Sequence, residues 1–348
     1  VNCPDCGEPA EATDRYCENC GGSLQLRRTP SGGPIGRVGD AGCVGCGSAV
    51  AADGFCETCG RAQPTGRDRM EYDLELVAGV SDRGRARVRN EDSMAFGVVG
   101  PLGSPQTVVV VVCDGVGSTE RADSASQAAV DAALESIVDS LLSGSSARSA
   151  TEDGAAAAYA ATSELARPNS PETAPSCTFV SAVVTPSEIT VGWIGDSRAY
   201  WVSSSPDAPS RRLTTDDTLV AQLVAAGMDE EEASASLNAH ALARWVGADA
   251  EQAPPHVTVL KPEAPGRLLL CSDGLWNYLP DAESLAAKVA DAEPLKVAAE
   301  LTSIANELGG HDNITVVVVP FEGLLAGPSM DTEGLLAGPS MDTEGRVP

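Results

Sequence analysis

Five consecutive valines, 108–112, run straight into Cys113, Asp114 and Gly115. An unbroken β-branched stretch of this length predicts a strand buried on both faces. The unusual part is its end, an acid followed by a residue without a side chain. The pattern recurs. "RLLLCSDG" ends on Asp273, "ITVGWIGDSR" carries Asp196, and "HDNITVVVV" starts a strand just after Asp312. "RVRNEDS" sets Glu91 and Asp92 side by side ahead of another apolar stretch. One acid at a strand end is ordinary turn chemistry. Several on buried strands of one domain, if they converge, repel one another and require cations. Lysine is a poor source of that charge, since Lys261, Lys288 and Lys296 are the only three and none adjoins these motifs. Hard oxygen ligands without histidine favour Mg2+ or Mn2+ over Zn2+. Two such ions bridged by a carboxylate can activate water for in-line attack on a phosphoryl group.

A different chemistry occupies the N-terminus. "CPDCG", "CENCG", "CVGCG" and "CETCG" place Cys3, Cys6, Cys17, Cys20, Cys43, Cys46, Cys56 and Cys59 in C-x-x-C pairs, each followed by glycine. The four pairs form an internal repeat of two copies, and four thiolates from two such knuckles make a tetrahedral zinc site. Two structural Zn2+ ions are therefore expected, and metal binding rather than apolar burial holds so small a unit together. With every position a thiol, no coordination site is open for catalysis, so the ribbons read as structural or adaptor modules. Cys113, Cys177 and Cys271 sit in apolar strands and read as inert core residues.

The expected layout is zinc ribbon 1 at 1–22, a Gly/Pro/Ser-rich linker at 23–42, zinc ribbon 2 at 43–62 and a second linker at 63–71. A mixed catalytic domain follows at 72–322. The tail, 323–348, holds an eleven-residue sequence twice in tandem and reads as disordered. Helices are expected over 122–142, where Val130, Leu134, Ile137 and Leu141 share a face, and over 151–166, 214–227 and 293–310. The 348 residues carry a net charge of −27, which repels nucleic acid and anionic lipid. No segment approaches a membrane span and no signal peptide is apparent, so a cytoplasmic location is expected.

The ordered set "RVRNED", "DGVG", "GDSRAY", "CSDGLW" and "GGHDNITVVVV" resembles the metal-dependent protein phosphatase 2C (PPM) family of serine/threonine phosphatases over about 72–320. That resemblance implies an α+β fold, a four-layer αββα sandwich of two antiparallel sheets flanked by helices, here preceded by two small zinc-ribbon modules. It implies hydrolysis of phosphoserine and phosphothreonine by direct attack of metal-bound water or hydroxide. Asp114 would bridge two Mn2+ or Mg2+ ions, with the Gly115 carbonyl as a further ligand. Asp273 and Asp312 would complete one ion's ligands, and Glu91 would act at the other. Asp92 would hold metal-bound water, and Asp196 would support a third ion with Asp273. Arg87 would grip the phosphate through its bidentate fork; Arg83, Arg85 and Arg89 in "DRGRARVR" are rivals for that role. The sequence departs from the family at Ser118, where a second glycine is usual, at Val116, where animal members carry a histidine, and at Asp217, where many relatives have histidine. None of these removes an implied ligand.

Phosphorylated proteins are the implied partners, with a Ser/Thr kinase or its substrates recruited by the ribbons. The alternative is a pseudophosphatase that binds phosphoprotein without turnover; its sign would be a missing acid, and all are present. A zinc-ribbon nucleic-acid binder is disfavoured by near-neutral ribbons with few aromatics beside an acidic domain.

Overall fold

The chain is described by a computed structural model that covers residues 2–322 apart from 4–5, 12–13, 33–42, 44–45, 52–54, 61–62, 64, 102–103, 168–173, 240 and 290–291. The duplicated tail lies outside the described residues. In chain order the strands are β1 (Leu26–Arg28), β2 (Arg69–Asp73), β3 (Ala78–Asp82), β4 (Ser93–Val99), β5 (Thr107–Cys113), β6 (Ser176–Cys177) and β7 (Phe179–Val184). They continue with β8 (Ile189–Ile194), β9 (Arg198–Ser203), β10 (Arg211–Arg212), β11 (Val246–Gly247), β12 (His256–Leu260), β13 (Gly266–Cys271) and β14 (Ile314–Phe321). The helices are α1 (Ala122–Leu142), α2 (Ala147–Glu164), α3 (Leu219–Ala225), α4 (Glu230–Ser234), α5 (Asp273–Trp276), α6 (Ala282–Ala286) and α7 (Pro294–Glu307).

The valine stretch is the middle of the first sheet, whose order is β1-β4-β5-β7-β8-β12. Side chains alternate along a strand, so the five valines divide between two cores. Val108, Val110 and Val112 enter the layer between the sheets, while Val109, Val111 and Cys113 meet Ile137, Val130 and Tyr159 under α1 and α2. The second sheet, β10-β9-β13-β14-β3-β2, does the same. Leu268, Leu270 and Val317 face the first sheet, and Leu269, Val316 and Val318 face Leu301 and Val297 of α7. Three stacked cores make the αββα sandwich, and neighbouring strands in both sheets run antiparallel. α1 occupies the expected residues, and α2 lies against it so closely that a Cβ on Gly154 would meet Ile137 Cγ1 at 2.5 Å.

Two domain boundaries differ from the sequence expectation, and among the helices α2 starts at Ala147 rather than 151 while α3 covers only Leu219–Ala225 of the expected 214–227. The linker assigned to 23–42 contains β1, which pairs with β4 through Leu26↔Val99, Arg27↔Val98 and Arg28↔Gly97. After Ser23 its Gly, Pro and Ser content resumes only beyond "LQLRRT", whose apolar members have partners: Leu24 packs on Cys3 and Cys17, and Leu26 on the helix-side core. The Thr29 N–H then donates to the Phe96 carbonyl at 2.9 Å. The linker assigned to 63–71 likewise runs into β2, which starts at Arg69 and pairs along β3. Elsewhere "EITVGWIGDSRAYWV" is two strands, β8 and β9, broken at Gly195, whose φ of 100° makes the turn.

Phe96 is 0% exposed at the centre of the sandwich, with Tyr72 edge-on to it at 6.4 Å. Phe96→Ala is expected to lower stability by about 3–5 kcal/mol, read as the shift of the urea midpoint at constant m-value.

Candidate active site

Antiparallel pairing places the end of one strand beside the start of its neighbour. Ser93 at the start of β4 faces Cys113 at the end of β5. Cys271 at the end of β13 faces both Arg198 at the start of β9 and Val316 near the start of β14. Phe179 at the start of β7 faces Ile194 at the end of β8. The residues just beyond these ends are Glu91 and Asp92, Asp114, Asp196, Asp273 and Asp312, so the acids converge on one end of the sandwich from both sheets.

Each acid is fixed by local hydrogen bonds. Asp114 donates its N–H to Thr178 Oγ1 at 3.0 Å and accepts from the Thr178 N–H at 2.8 Å. Asp92 is 0% exposed; its Oδ2 accepts from Ser272 Oγ and Thr315 Oγ1, each at 2.7 Å. Glu91 donates its N–H to Asn313 Oδ1 at 2.8 Å, and Asn313 Nδ2 donates to the carbonyls of Arg83 and Arg89 at 2.8 and 2.9 Å. Asp273 opens α5, where Gly274 is required because a Cβ there would lie 1.9 Å from the Asn313 carbonyl oxygen. Gly115 is similarly confined, its added Cβ falling 2.6 Å from the Glu91 carbonyl oxygen.

The four arginines of 83–89 separate cleanly. Arg87 Nη2 pairs with Asp312 Oδ2 at 2.6 Å. A Cβ on Gly117 would lie 3.0 Å from Arg87 Nη1 and 3.1 Å from Glu91 Oε2, so both side chains face the "DGVG" turn. Arg83 turns away to Asp68, at 3.4 Å, and to the Arg87 carbonyl. Arg89 lies over the Phe55 ring, 4.7 Å from its centroid, and Arg85 is exposed.

Burial and crowding raise the acids together. Burial, then Asp312 and Asp196, push Asp273 up to about 8. Burial, then Asp216, takes Asp196 up to about 6; burial takes Asp92 up to about 6 against the Ser272 and Thr315 hydroxyls. Asp114 is raised well above the ordinary carboxylate range by burial and by Asp92, Asp273, Asp196 and Asp312. Glu91 is raised by burial, with Arg87 opposing. Asp92 Oδ1 is buried with no hydrogen-bond partner among the described residues. A carboxylate cluster that cannot ionise unaided, together with an orphaned buried oxygen, fits divalent cations bound by oxygen. Glu91, Asp114, Asp196, Asp273 and Asp312 keep part of their surface open, whereas Asp92 is sealed behind them.

Several supporting residues carry no local sequence signal. Arg198 of "GDSRAY" grips Asp216 in bidentate fashion, at 2.9 and 2.6 Å, and stacks 3.7 Å over Trp276, whose Nε1 donates to the Asp196 carbonyl. Arg67 Nη2 donates to the Asp92 carbonyl at 3.0 Å and to Ser93 Oγ at 2.9 Å. Asp217 accepts from the Gly195 N–H and meets His256 Nε2 of β12 at 2.9 Å. Of these, Arg198 lies in the quoted motif "GDSRAY" and Trp276 in "CSDGLW"; Asp216, Arg67 and His256 come from other segments of the chain.

The ribbon cysteines form two clusters, Cys3, Cys6, Cys17, Cys20 and Cys43, Cys46, Cys56, Cys59, with ligand atoms within 4.8 Å of one another. Cross-knuckle Sγ pairs lie 3.5–3.6 Å apart, close to the roughly 3.8 Å edge that a Zn–S bond of about 2.3 Å sets in a tetrahedron. The Glu8 N–H and the Asn19 amide pull Cys6 down to about 7, while, against the Gly22 N–H, Cys6 and burial push Cys20 up to about 12, so the four thiols do not ionise together without a cation.

Residues 85–306 match the protein phosphatase 2C family and residues 3–60 the double zinc ribbon. A serine/threonine phosphatase, stp, of Listeria innocua is 30% identical over 247 residues, spanning 69% of this chain and 93% of that protein. The serine/threonine protein phosphatase PstP of Mycobacterium tuberculosis is 30% identical over 245 residues, 69% of this chain and 44% of that protein. The crystal structure of the M. tuberculosis serine/threonine phosphatase PstP/Ppp superposes with a TM-score of 0.55 at 30% identity, covering 71% of this chain and 98% of that one. The PstP catalytic domain in complex with two manganese ions gives 0.52 at 29% identity, with the same coverage. The sandwich, the acids gathered at one end of it and these likenesses lead to one conclusion: behind its N-terminal double zinc ribbon, the chain belongs to the protein phosphatase 2C family.

Proposed function

We propose that this chain hydrolyses phosphoserine and phosphothreonine in proteins, with Mn2+ or Mg2+ held by the acids at the end of the sandwich. The observation that carries the reading is the convergence of Glu91, Asp114, Asp196, Asp273 and Asp312 around a site that Arg87 borders, with Asp92 behind them. Asp114, the Gly115 carbonyl, Asp273, Asp312 and Glu91 would hold two cations, and Asp196 with Asp273 a third. Bound there, the cations supply the positive charge that lets these carboxylates ionise together and acidify a water for attack on phosphorus. The two manganese ions of the PstP catalytic domain support manganese as the metal.

The chain's own residues orient and restrain. Arg87 presents a guanidinium whose Nη2 is pinned by Asp312, leaving its fork aimed along the "DGVG" turn for a phosphate oxygen. Asp92, with Oδ2 satisfied and Oδ1 not, accepts a hydrogen bond from a water entering the cluster. Val116 offers no proton, so the leaving alkoxide takes its proton from water. The full acid set argues against the non-catalytic alternative. The ribbons act as adaptors for phosphoprotein partners, a kinase or its substrates among them. The catalytic unit runs from about residue 65 to 322, with β1 as an added edge. Among the described residues no helix is long and apolar enough to cross a membrane; the proposed phosphoprotein substrates suit a cytoplasmic location.

Asp273→Asn should cut Mn2+-dependent phosphate release from a phosphothreonine peptide by at least about a hundredfold, by analogy with loss of a charged transition-state stabiliser. Wild-type turnover that survives chelation, or an unimpaired variant, would overturn the mechanism. A second measurement follows from protonation. The folded pKa values of Asp273, Asp196 and Asp92 lie above the unfolded value of 3.8. The folded state then binds more protons between about pH 4 and 8, and metal-free stability falls as pH rises through that window. Mn2+ should raise Tm more at pH 8 than at pH 5, and an equal shift at both would contradict the cluster. Elemental analysis should find about two zinc ions per chain that persist when Mn2+ is dialysed away.

A further inference from the structure

Phe55 belongs to the second ribbon and sits one residue before Cys56, whose side chain is 3% exposed within the thiol cluster. Its carbonyl accepts from the Ala51 N–H at 2.8 Å, so the knuckle fixes its backbone. Its ring lies under the Arg89 guanidinium, 4.7 Å from centroid to Cζ, within reach of a cation–π contact. Arg89 is two residues from Glu91, and Asn313 Nδ2 holds its carbonyl while Asn313 Oδ1 accepts the Glu91 N–H. The side chain of Arg89 is thereby held by the ribbon and its backbone by the active site.

The chain leaving the ribbon is tied to the same place. Thr65 Oγ1 donates to Asp68 at 3.1 Å, and the Asp68 carbonyl accepts from the Arg83 N–H at 2.8 Å while its carboxylate pairs with Arg83. Arg67 reaches across to the Asp92 carbonyl and Ser93. Both ends of the arginine segment 83–89 thus touch the second ribbon or its exit. In a chain of net charge −27 this segment holds four of the 23 basic residues, of which Arg83 is paired with Asp68 and Arg87 with Asp312.

We propose that the second zinc ribbon forms a wall of the substrate entrance, with Phe55 a positioning residue that holds Arg89 for carboxylates flanking the phosphorylated residue of a protein substrate. The inference rests on the phosphatase reading and adds the substrate class: phosphopeptides with acidic neighbours, whose charge the bare acidic surface would otherwise repel. It also gives the ribbon's metal a role at the entrance, because the knuckle that orients Phe55 exists only while the four thiols are held together.

The test uses the full chain, a phosphothreonine peptide flanked by aspartates, and p-nitrophenyl phosphate, which has no flanking residues. The readout is the ratio of kcat/KM for the peptide to that for the aryl phosphate. Phe55→Ala should lower that ratio roughly two- to fivefold, through KM for the peptide, as expected for an exposed cation–π contact. Phe55→Tyr, which keeps the ring, should restore it. In an Arg89→Ala background Phe55→Ala should add nothing, because the two act as one unit. A ratio unchanged in Phe55→Ala, or additive losses in the double variant, would overturn the proposal. Failure of the phosphatase reading looks different, as a wild type without metal-dependent turnover of either substrate. In that event hydrogen exchange over residues 83–91 decides. Faster exchange in Phe55→Ala than in wild type keeps the ribbon's hold on the segment, and identical exchange removes it.

Discussion

Carboxylates buried together at one end of a sandwich govern this molecule. Asp114, Asp196, Asp273 and Glu91 would each ionise readily in water, but burial first, and then the charge of neighbouring carboxylates, raises them in the cleft. Such a cluster persists only on a scaffold too rigid to let its members drift apart. The scaffold is supplied by strands packed on both faces, in which alternate residues of one strand enter different cores. Closely packed apolar strands and a strained anionic site are two sides of one arrangement. The strands stop where the acids begin, so the packing energy lies behind the site rather than within it.

The polar layer just beneath the acids translates that rigidity into geometry. Ser272 and Thr315 hold Asp92, Thr178 holds Asp114, and Asn313 holds the backbone around Glu91. The supporting groups come from the turn after β13, the start of β14 and the residue before β7, so none of these three acids is positioned by its own element alone. Arg198 extends this logic outward, joining Asp216, Tyr200 and the Trp276 ring to the turn that carries Asp196.

Much of this was legible in the sequence where the signal was local. The valine run, the α1 span and the cysteine pairs are periodic or closely spaced, and the structure follows them. The acids were legible as a set because each ends or precedes an apolar run. What escaped was contact between distant segments. Nothing in "LQLRRT" announces a partner strand about 70 residues away, and Arg67 in a stretch read as linker gives no sign of its grip on Asp92. The four arginines of 83–89 look alike in the sequence; only their partners, Asp68, Asp312 and Phe55, tell them apart.

The three residues of β1 have a consequence for the free molecule in solution. Without them β4 would end the first sheet as a fully buried seven-residue strand with a row of unpaired backbone groups facing outward. Such an edge is a template for pairing with another copy of the chain. β1 covers the Gly97–Val99 end of it, and Thr29 bonds Phe96 beyond. A strand this short, ending in two arginines, offers little for a further strand to join. The polypeptide that follows the first ribbon thus shields the phosphatase sheet from self-association.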